Sequence, residues 1–220
     1  MTVVFVMAQG QQQRIGHALG INGLPAWKQL LKISDTETII SRSCRLFLEA
    51  GADVVIPVIH WHHEFVNACM DQVLPFLIQR DPKLSVLDGI YNVRHLWGDR
   101  TVIALGDVVY SKETVQRMTL DQSLSIYERS EQNSVTGKPY PERFGLTFSR
   151  AHHRGLLQVL ENTSFRCHRD SKLLDLRDRL LEIQAPVVVR DVSDYTDDVD
   201  SEEGMIKWLP ALRLAVAEDI

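Results

Sequence analysis

Three acidic residues stand apart from the ordinary surface charge of this chain: Asp107, Asp198 and Asp200. Asp107 follows the apolar run Thr101–Leu105 and a glycine, a place where a carboxylate is costly unless it is paired or bound to a cation. Asp198 and Asp200 alternate around Val199, so on an extended segment both carboxylates project to one side. A hard divalent cation such as Mg²⁺ takes one or two protein carboxylates and completes its shell with phosphate oxygens and water. One carboxylate from Asp107 and one or two from the later pair meet that demand. The run Asp200-Ser201-Glu202-Glu203 also suits the start of a helix, where acids favour the dipole. The pairing with Asp107 shifts the balance towards a metal site. Complementary positive charge comes from the N-terminal stretch, where Val3–Met7 runs into Ala8-Gln9-Gly10-Gln11-Gln12-Gln13-Arg14 and a loop then delivers Lys28. Backbone N–H groups in such a turn can point at an anion while Arg14 and Lys28 neutralise it. The chemistry indicated is the handling of a polyphosphate with a divalent cation.

Placing these groups requires strands that end together. Val3–Met7 reads as a buried strand, Thr38–Ala50 as a helix stopped by Gly51, and Asp53–Ile59 as a second buried strand, which makes a βαβ unit. His60-Trp61-His62-His63-Glu64 follows. Three histidines in four residues invite a zinc reading, but His62 and His63 are adjacent, and neither a cysteine nor an HExxH spacing accompanies them. A polar loop leading into a helix Glu64–Gln79 is the better account. A further helix is expected over Ser85–Trp97, with Trp97 in the core, and a third buried strand over Thr101–Leu105. Lys112–Met118 reads as a short helix. Ser123–Glu128 and Phe144–Phe148 read as the strands of a hairpin around a polar, turn-rich stretch. His152 and His153 introduce a helix Arg154–Glu161. Leu173–Leu181, Val187–Val192 and Met205–Ala217 read as helix, strand and helix. The expected fold class is α/β: a three-layer α/β/α sandwich on a mainly parallel mixed sheet. It forms one domain over residues 1–220, with a hairpin excursion around 123–148.

Composition narrows the partners. A net charge of -5 over 220 residues argues against bulk nucleic-acid binding, because no basic excess exists to displace counterions. No apolar run is long enough to span a membrane. Cys44, Cys69 and Cys167 are odd in number and widely spaced, as expected of reduced thiols in a cytoplasmic protein.

The segment Val3–Leu31 resembles the signature of nucleotidyltransferases of the GT-A-like α/β fold, enzymes that activate sugars and related small molecules as nucleotide conjugates. That signature reads A-x-G-x-G-x-R-x-G, a variable loop, then P-K-x-L. Ala8, Gly10, Arg14 and Gly16 match it, Gln12 departs from its second loop glycine, and Ala26-Trp27 separates Pro25 from Lys28. Leu105-Gly106-Asp107 is similar to the family's strand-ending G-D, whose Asp binds the metal. Asp198-Val199-Asp200-Ser201-Glu202-Glu203 is similar to its late acidic element, with Gly204 in place of the last acid.

The resemblance implies a Mg²⁺-dependent transfer from a nucleoside triphosphate to a phosphorylated sugar or similar acceptor, with release of pyrophosphate. It implies that Arg14 and Lys28 balance charge on the triphosphate. Ala8, Gln9, Gly10, Gln12 and Gly106 are the further nucleotide-binding positions, and Asp107, Asp198 and Asp200 hold the metal. In this family the hairpin excursion commonly shapes the acceptor pocket or a homodimer contact, which makes Lys138, Tyr140 and Arg143 candidate acceptor contacts. Two other readings stay open. One is a GT-A glycosyltransferase, although its D-x-D stands here as Gly106-Asp107-Val108-Val109. The other is a non-catalytic binding module, for which the altered glycine loop is the cue.

Overall fold

The computed structural model describes residues 1–8, 27–61, 63–70, 74–79, 84–129, 141–161, 172–198 and 202–218. The chain begins with β1 (Thr2–Ala8), buried along its whole length. Its period-two alternation feeds two cores: Val4, Val6 and Ala8 face one side of the sheet, and Val3, Phe5 and Met7 face the other. A strand apolar on both faces belongs in the middle of a sheet covered by helices on both sides.

After β1 the described chain resumes with a 3-10 turn, Lys28–Leu30, and α1 (Ile39–Glu49). Thr38 caps α1, its hydroxyl accepting from the Ser41 N–H at 3.2 Å. Gly51, at φ +91°, ends it in the left-handed conformation that favours glycine. Next come β2 (Val54–His60), α2 (His63–Met70), β3 (Leu77–Gln79), α3 (Val86–Asn92), β4 (Arg100–Leu105), β5 (Val108–Val109) and α4 (Lys112–Leu120). The chain continues through β6 (Ser125–Arg129), β7 (Glu142–Ser149), α5 (His153–Glu161), α6 (Leu173–Glu182), β8 (Val188–Asp191), β9 (Asp197–Asp198) and α7 (Glu202–Glu218).

The main sheet has seven strands in the order β3-β2-β1-β4-β7-β6-β8. β1 pairs in parallel with β2 and β4, β2 with β3, and β6 with β8, while β7 runs antiparallel to both β4 and β6. Residues from α1, α2 and α4 pack on one face and residues from α3, α5 and α6 on the other, giving the three-layer α/β/α arrangement expected from the sequence. A separate two-stranded ladder joins β5 to β9. Over it, Leu209, Leu212 and Val216 of α7 pack against Leu31, Ile33, Ile39 and Val109.

The structure corrects two expectations. The helix expected over Glu64–Gln79 is short, and β3 occupies its end. Pro75 explains this, since the residue before a proline is driven out of the helical region and proline has no N–H to continue the ladder. The helix expected over Ser85–Trp97 ends at Asn92, after which Arg94–Leu96 forms a 3-10 turn. The strands flanking residues 130–140 pair antiparallel, as the expected hairpin does, and both lie in the main sheet, where β7 also runs against β4. Among the described residues no helix is long and apolar enough to cross a membrane.

Candidate active site

β1 and β4 run side by side and in the same direction, so their carboxyl ends open at one edge of the sheet. Ligands of open α/β sheets sit beyond such ends. Gly106 follows β4 there, and its N–H donates to the Met7 carbonyl at 3.0 Å. A side chain at this position would bring a Cβ within 2.8 Å of the Ala8 Cβ and 3.0 Å of the Met7 oxygen. Glycine is therefore required by close approach of two backbones. Its effect is to set the next residue, Asp107, against the end of β1.

Asp107 lies in the turn between β4 and β5. Its carboxylate forms an ion pair with the Lys28 ammonium, delivered from the first residue of the 3-10 turn. Both side chains are mostly buried, 14% exposed for Lys28 and 23% for Asp107. Beside Lys28, the Trp27 ring stacks on His60 at 5.8 Å between centroids and meets Phe65 at 5.3 Å. The extra Ala26-Trp27 dipeptide thus ends on an aromatic anchor that holds Lys28 at the strand ends.

The second carboxylate arrives through the β5–β9 ladder, which sets Val108 opposite Asp198 and Val109 opposite Asp197. Asp198 is therefore a ladder neighbour of the residue that follows Asp107. Only 7% of it is exposed. Tyr110, the residue after β5, is fully buried. Burial pushes its phenol well above the ordinary value, the Leu105 backbone hydrogen bond opposes the rise, and the charges of Asp107 and Asp198 add to it. The phenol accepts from the Leu105 N–H at 2.8 Å and donates to the Phe144 carbonyl at 2.5 Å, tying the end of β4 to β7.

Several residues without a signature in the sequence hold this ladder in place. Asp194 accepts from the hydroxyls of Ser111 (2.5 Å) and Thr114 (2.7 Å) and from the Thr196 N–H (2.8 Å). The Thr196 hydroxyl in turn accepts from the Ser111 N–H at 3.0 Å. This cluster fastens the approach to β9 onto the first turn of α4. Arg42, reaching across from α1, donates to the Tyr110 carbonyl and to the Tyr195 hydroxyl. The Ser111 cap was the one signal available, as a serine just before an expected helix.

Adjacent strand residues face opposite ways, so Asp197 points away from Asp198 and into the core, where the Arg129 guanidinium meets it at 2.6 Å. Of the other expected positions, Ala8 ends β1 against Gly106. Arg143 lies at the start of β7, 3.4 Å from the Glu128 carboxylate and donating to the Pro141 carbonyl at 3.0 Å. Gln9, Gly10, Gln12, Arg14, Lys138, Tyr140 and Asp200 lie outside the described residues.

The chemistry of the donor set bears on whether it suits a divalent cation. Asp198 offers hard carboxylate oxygens on the ladder and Asp107 in the turn just before it, and a cation, the Lys28 ammonium, already sits on Asp107. Among the described residues there is no group of three or more His, Cys, Asp or Glu placed to hold a metal. Two carboxylates fit Mg²⁺, which binds through few protein ligands and keeps phosphate oxygens and water. They do not make the closed site of a structural zinc.

No family model matches the chain, and no curated protein matches it either. Solved structures do. A nucleotidyl transferase from Methanothermobacter superposes with a TM-score of 0.69 at 17% identity, over 96% of this chain and 97% of that one. The inositol-1-phosphate CTP transferase of T. maritima gives 0.72 at 12% identity, over 100% and 98%. The CTP:phosphocholine cytidylyltransferase of Streptococcus pneumoniae gives 0.67 at 12% identity, over 96% and 99%. The chain has the fold of these nucleotidyltransferases along nearly its whole length.

Proposed function

We propose that this chain is an enzyme that transfers a nucleotidyl group from a nucleoside triphosphate to a phosphorylated sugar or similar small acceptor, releasing pyrophosphate. The observation that carries the reading is the Lys28–Asp107 ion pair at the carboxyl ends of β1 and β4, with Asp198 held opposite Val108, the residue after Asp107. It occurs in a fold whose solved neighbours include transferases of cytidylyl groups to inositol phosphate and phosphocholine, by their names.

In this reading an oxygen of the acceptor phosphate attacks the α-phosphorus. The bond from that phosphorus to the bridging oxygen breaks, and its electrons leave with pyrophosphate. No protein nucleophile is needed. Asp107 and Asp198, with Asp200, would hold Mg²⁺, which when bound supplies a Lewis acid for the phosphate oxygens. Lys28 and Arg14 balance the charge on the triphosphate and the departing pyrophosphate, and the glycine-containing segment after Ala8 is proposed to carry the phosphates. Catalysis is then mostly positioning and electrostatics. Lys138, Tyr140 and Arg143 are proposed to line the acceptor side.

The test is pyrophosphate release from each common nucleoside triphosphate over a panel of phosphorylated sugars, polyols and amino-alcohols, with and without Mg²⁺. Release that needs Mg²⁺ and falls by more than about 100-fold in Asp107→Ala supports the proposal. Release of a nucleoside diphosphate from a nucleotide sugar, with no pyrophosphate from any pairing, replaces it with glycosyl transfer.

A further inference from the structure

Arg129 and Asp197 form an ion pair 2.6 Å long, with both side chains fully buried. Only one guanidinium nitrogen is engaged in it. Among the described residues Arg129 Nε and Nη2 are buried without a hydrogen-bond partner, and the guanidinium lies 5.7 Å from the centre of the Phe144 ring. A buried pair of this kind does not repay its desolvation well, and apolar residues of similar volume commonly give a more stable core. Stability alone is thus a poor explanation for it.

Geometry supplies a better one. Arg129 is the last residue of β6, and Asp197 is the first residue of β9, 68 positions later. While one Asp197 oxygen takes the Arg129 hydrogen bond, the other accepts the backbone N–H of Asp198 at 2.9 Å. A two-residue strand has little ladder of its own to fix its register. The pair fixes it from behind, and Asp198 is the residue so held, opposite Val108 and next to Asp107.

We infer that Arg129 is a positioning residue that acts through the Asp197 carboxylate to hold Asp198 in place for the divalent cation. This inference rests on the functional reading above. The obvious variant, Arg129→Met, leaves a buried unpaired carboxylate and can fail to fold for that reason alone. The experiment therefore uses the double variant Arg129→Met/Asp197→Asn, which removes both charges, and the conservative variant Arg129→Lys.

Two readouts are taken on the full chain. One is amide hydrogen exchange over residues 194–198. The other is Mn²⁺ binding, followed by its electron paramagnetic resonance signal, alone and with each of ATP, CTP, GTP, UTP and dTTP. The expected result is faster exchange in the double variant and a Mn²⁺ dissociation constant raised at least about tenfold, as for other residues that orient metal ligands. Arg129→Lys should recover much of both. If the double variant does not fold, Arg129→Lys decides: an affinity between wild type and a tenfold loss supports the role. Wild-type Mn²⁺ affinity in the folded double variant, or in Arg129→Lys where the double variant does not fold, overturns it, whether or not exchange changes, because the pair is then only a pin in the core. A wild-type chain that binds no Mn²⁺ with any triphosphate overturns the functional reading and the positioning role together. A folded double variant that binds as the wild type does overturns the role alone.

Discussion

At the scale of single residues, the Lys28 ammonium sits on the Asp107 carboxylate, joining the 3-10 turn Lys28–Leu30 to the turn after β4. Lys28→Met is expected to lower kcat/KM for the triphosphate by about 100-fold, the order seen when a preorganised charge contact is removed. Lys28→Arg should recover only part of the loss, because the planar guanidinium does not reproduce a compact ammonium. Steady-state pyrophosphate release checks both, and a wild-type rate in Lys28→Met would remove the residue from the mechanism. On the other side of the sheet, His153 packs edge-on against Trp97 at 5.1 Å and Phe148 at 5.6 Å. Burial lowers its pKa below the ordinary histidine value, and the Arg150 charge adds to the fall. The unfolded chain therefore takes up this proton at higher pH than the folded one, so the contribution is full above the ordinary histidine pKa and is lost as pH falls through the folded value. Melting temperatures between pH 8 and pH 5 should fall less steeply in His153→Asn than in the wild type. Equal slopes would show that the imidazole does not titrate in this window.

At the scale of elements, the site depends on how closely strands approach. Gly106→Ala places a methyl group 2.8 Å from the Ala8 Cβ, so β1 and β4 must separate at the edge where Asp107 stands. Overpacking of this kind costs about 1–3 kcal/mol. Urea unfolding should show that loss, and activity should fall further than stability does, because Asp107 moves with the strand. Gly155 is the matched control: it lies in α5 and a Cβ there meets nothing within 4 Å. Gly155→Ala should raise stability by about 0.5–1 kcal/mol through backbone entropy and leave activity unchanged. If both substitutions have the same small effect, the packing at Gly106 is looser than the geometry indicates.

At the scale of the molecule, the parallel strands β1 and β4 end together at one open edge of the sheet, with α7 packed over the β5–β9 ladder. A ligand bound there stabilises the native chain by mass action, by about 2.7 kcal/mol at a hundredfold excess over its dissociation constant. Thermal unfolding with ATP, CTP, GTP, UTP and dTTP in turn should reveal one nucleotide whose shift needs Mg²⁺ and disappears in Asp107→Ala. That nucleotide identifies the base. No shift with any of the five, set against a shift with a nucleotide sugar, would point to a different donor.

The α/β class, the paired apolar strands and the stop of α1 at Gly51 were legible in the chain itself. They are local: periodicity in Val3–Met7, a cap at Thr38, a left-handed glycine at Gly51, and a lone carboxylate after an apolar run at Asp107 all act over a few residues. Even the missed strand Leu77–Gln79 had a local warning in Pro75. What joins Asp107 to Asp198 is not local. The pairing of Val108 with Asp198, the Asp194 cluster on α4 and the Arg129–Asp197 pair each link residues 68 to 90 positions apart. Nothing in the composition of β6 marks Arg129, and Asp197 reads as one more acid in an acidic run. Only the closed fold separates its side chain from that of Asp198, because successive residues on a strand face opposite ways, one into the core and one towards the site.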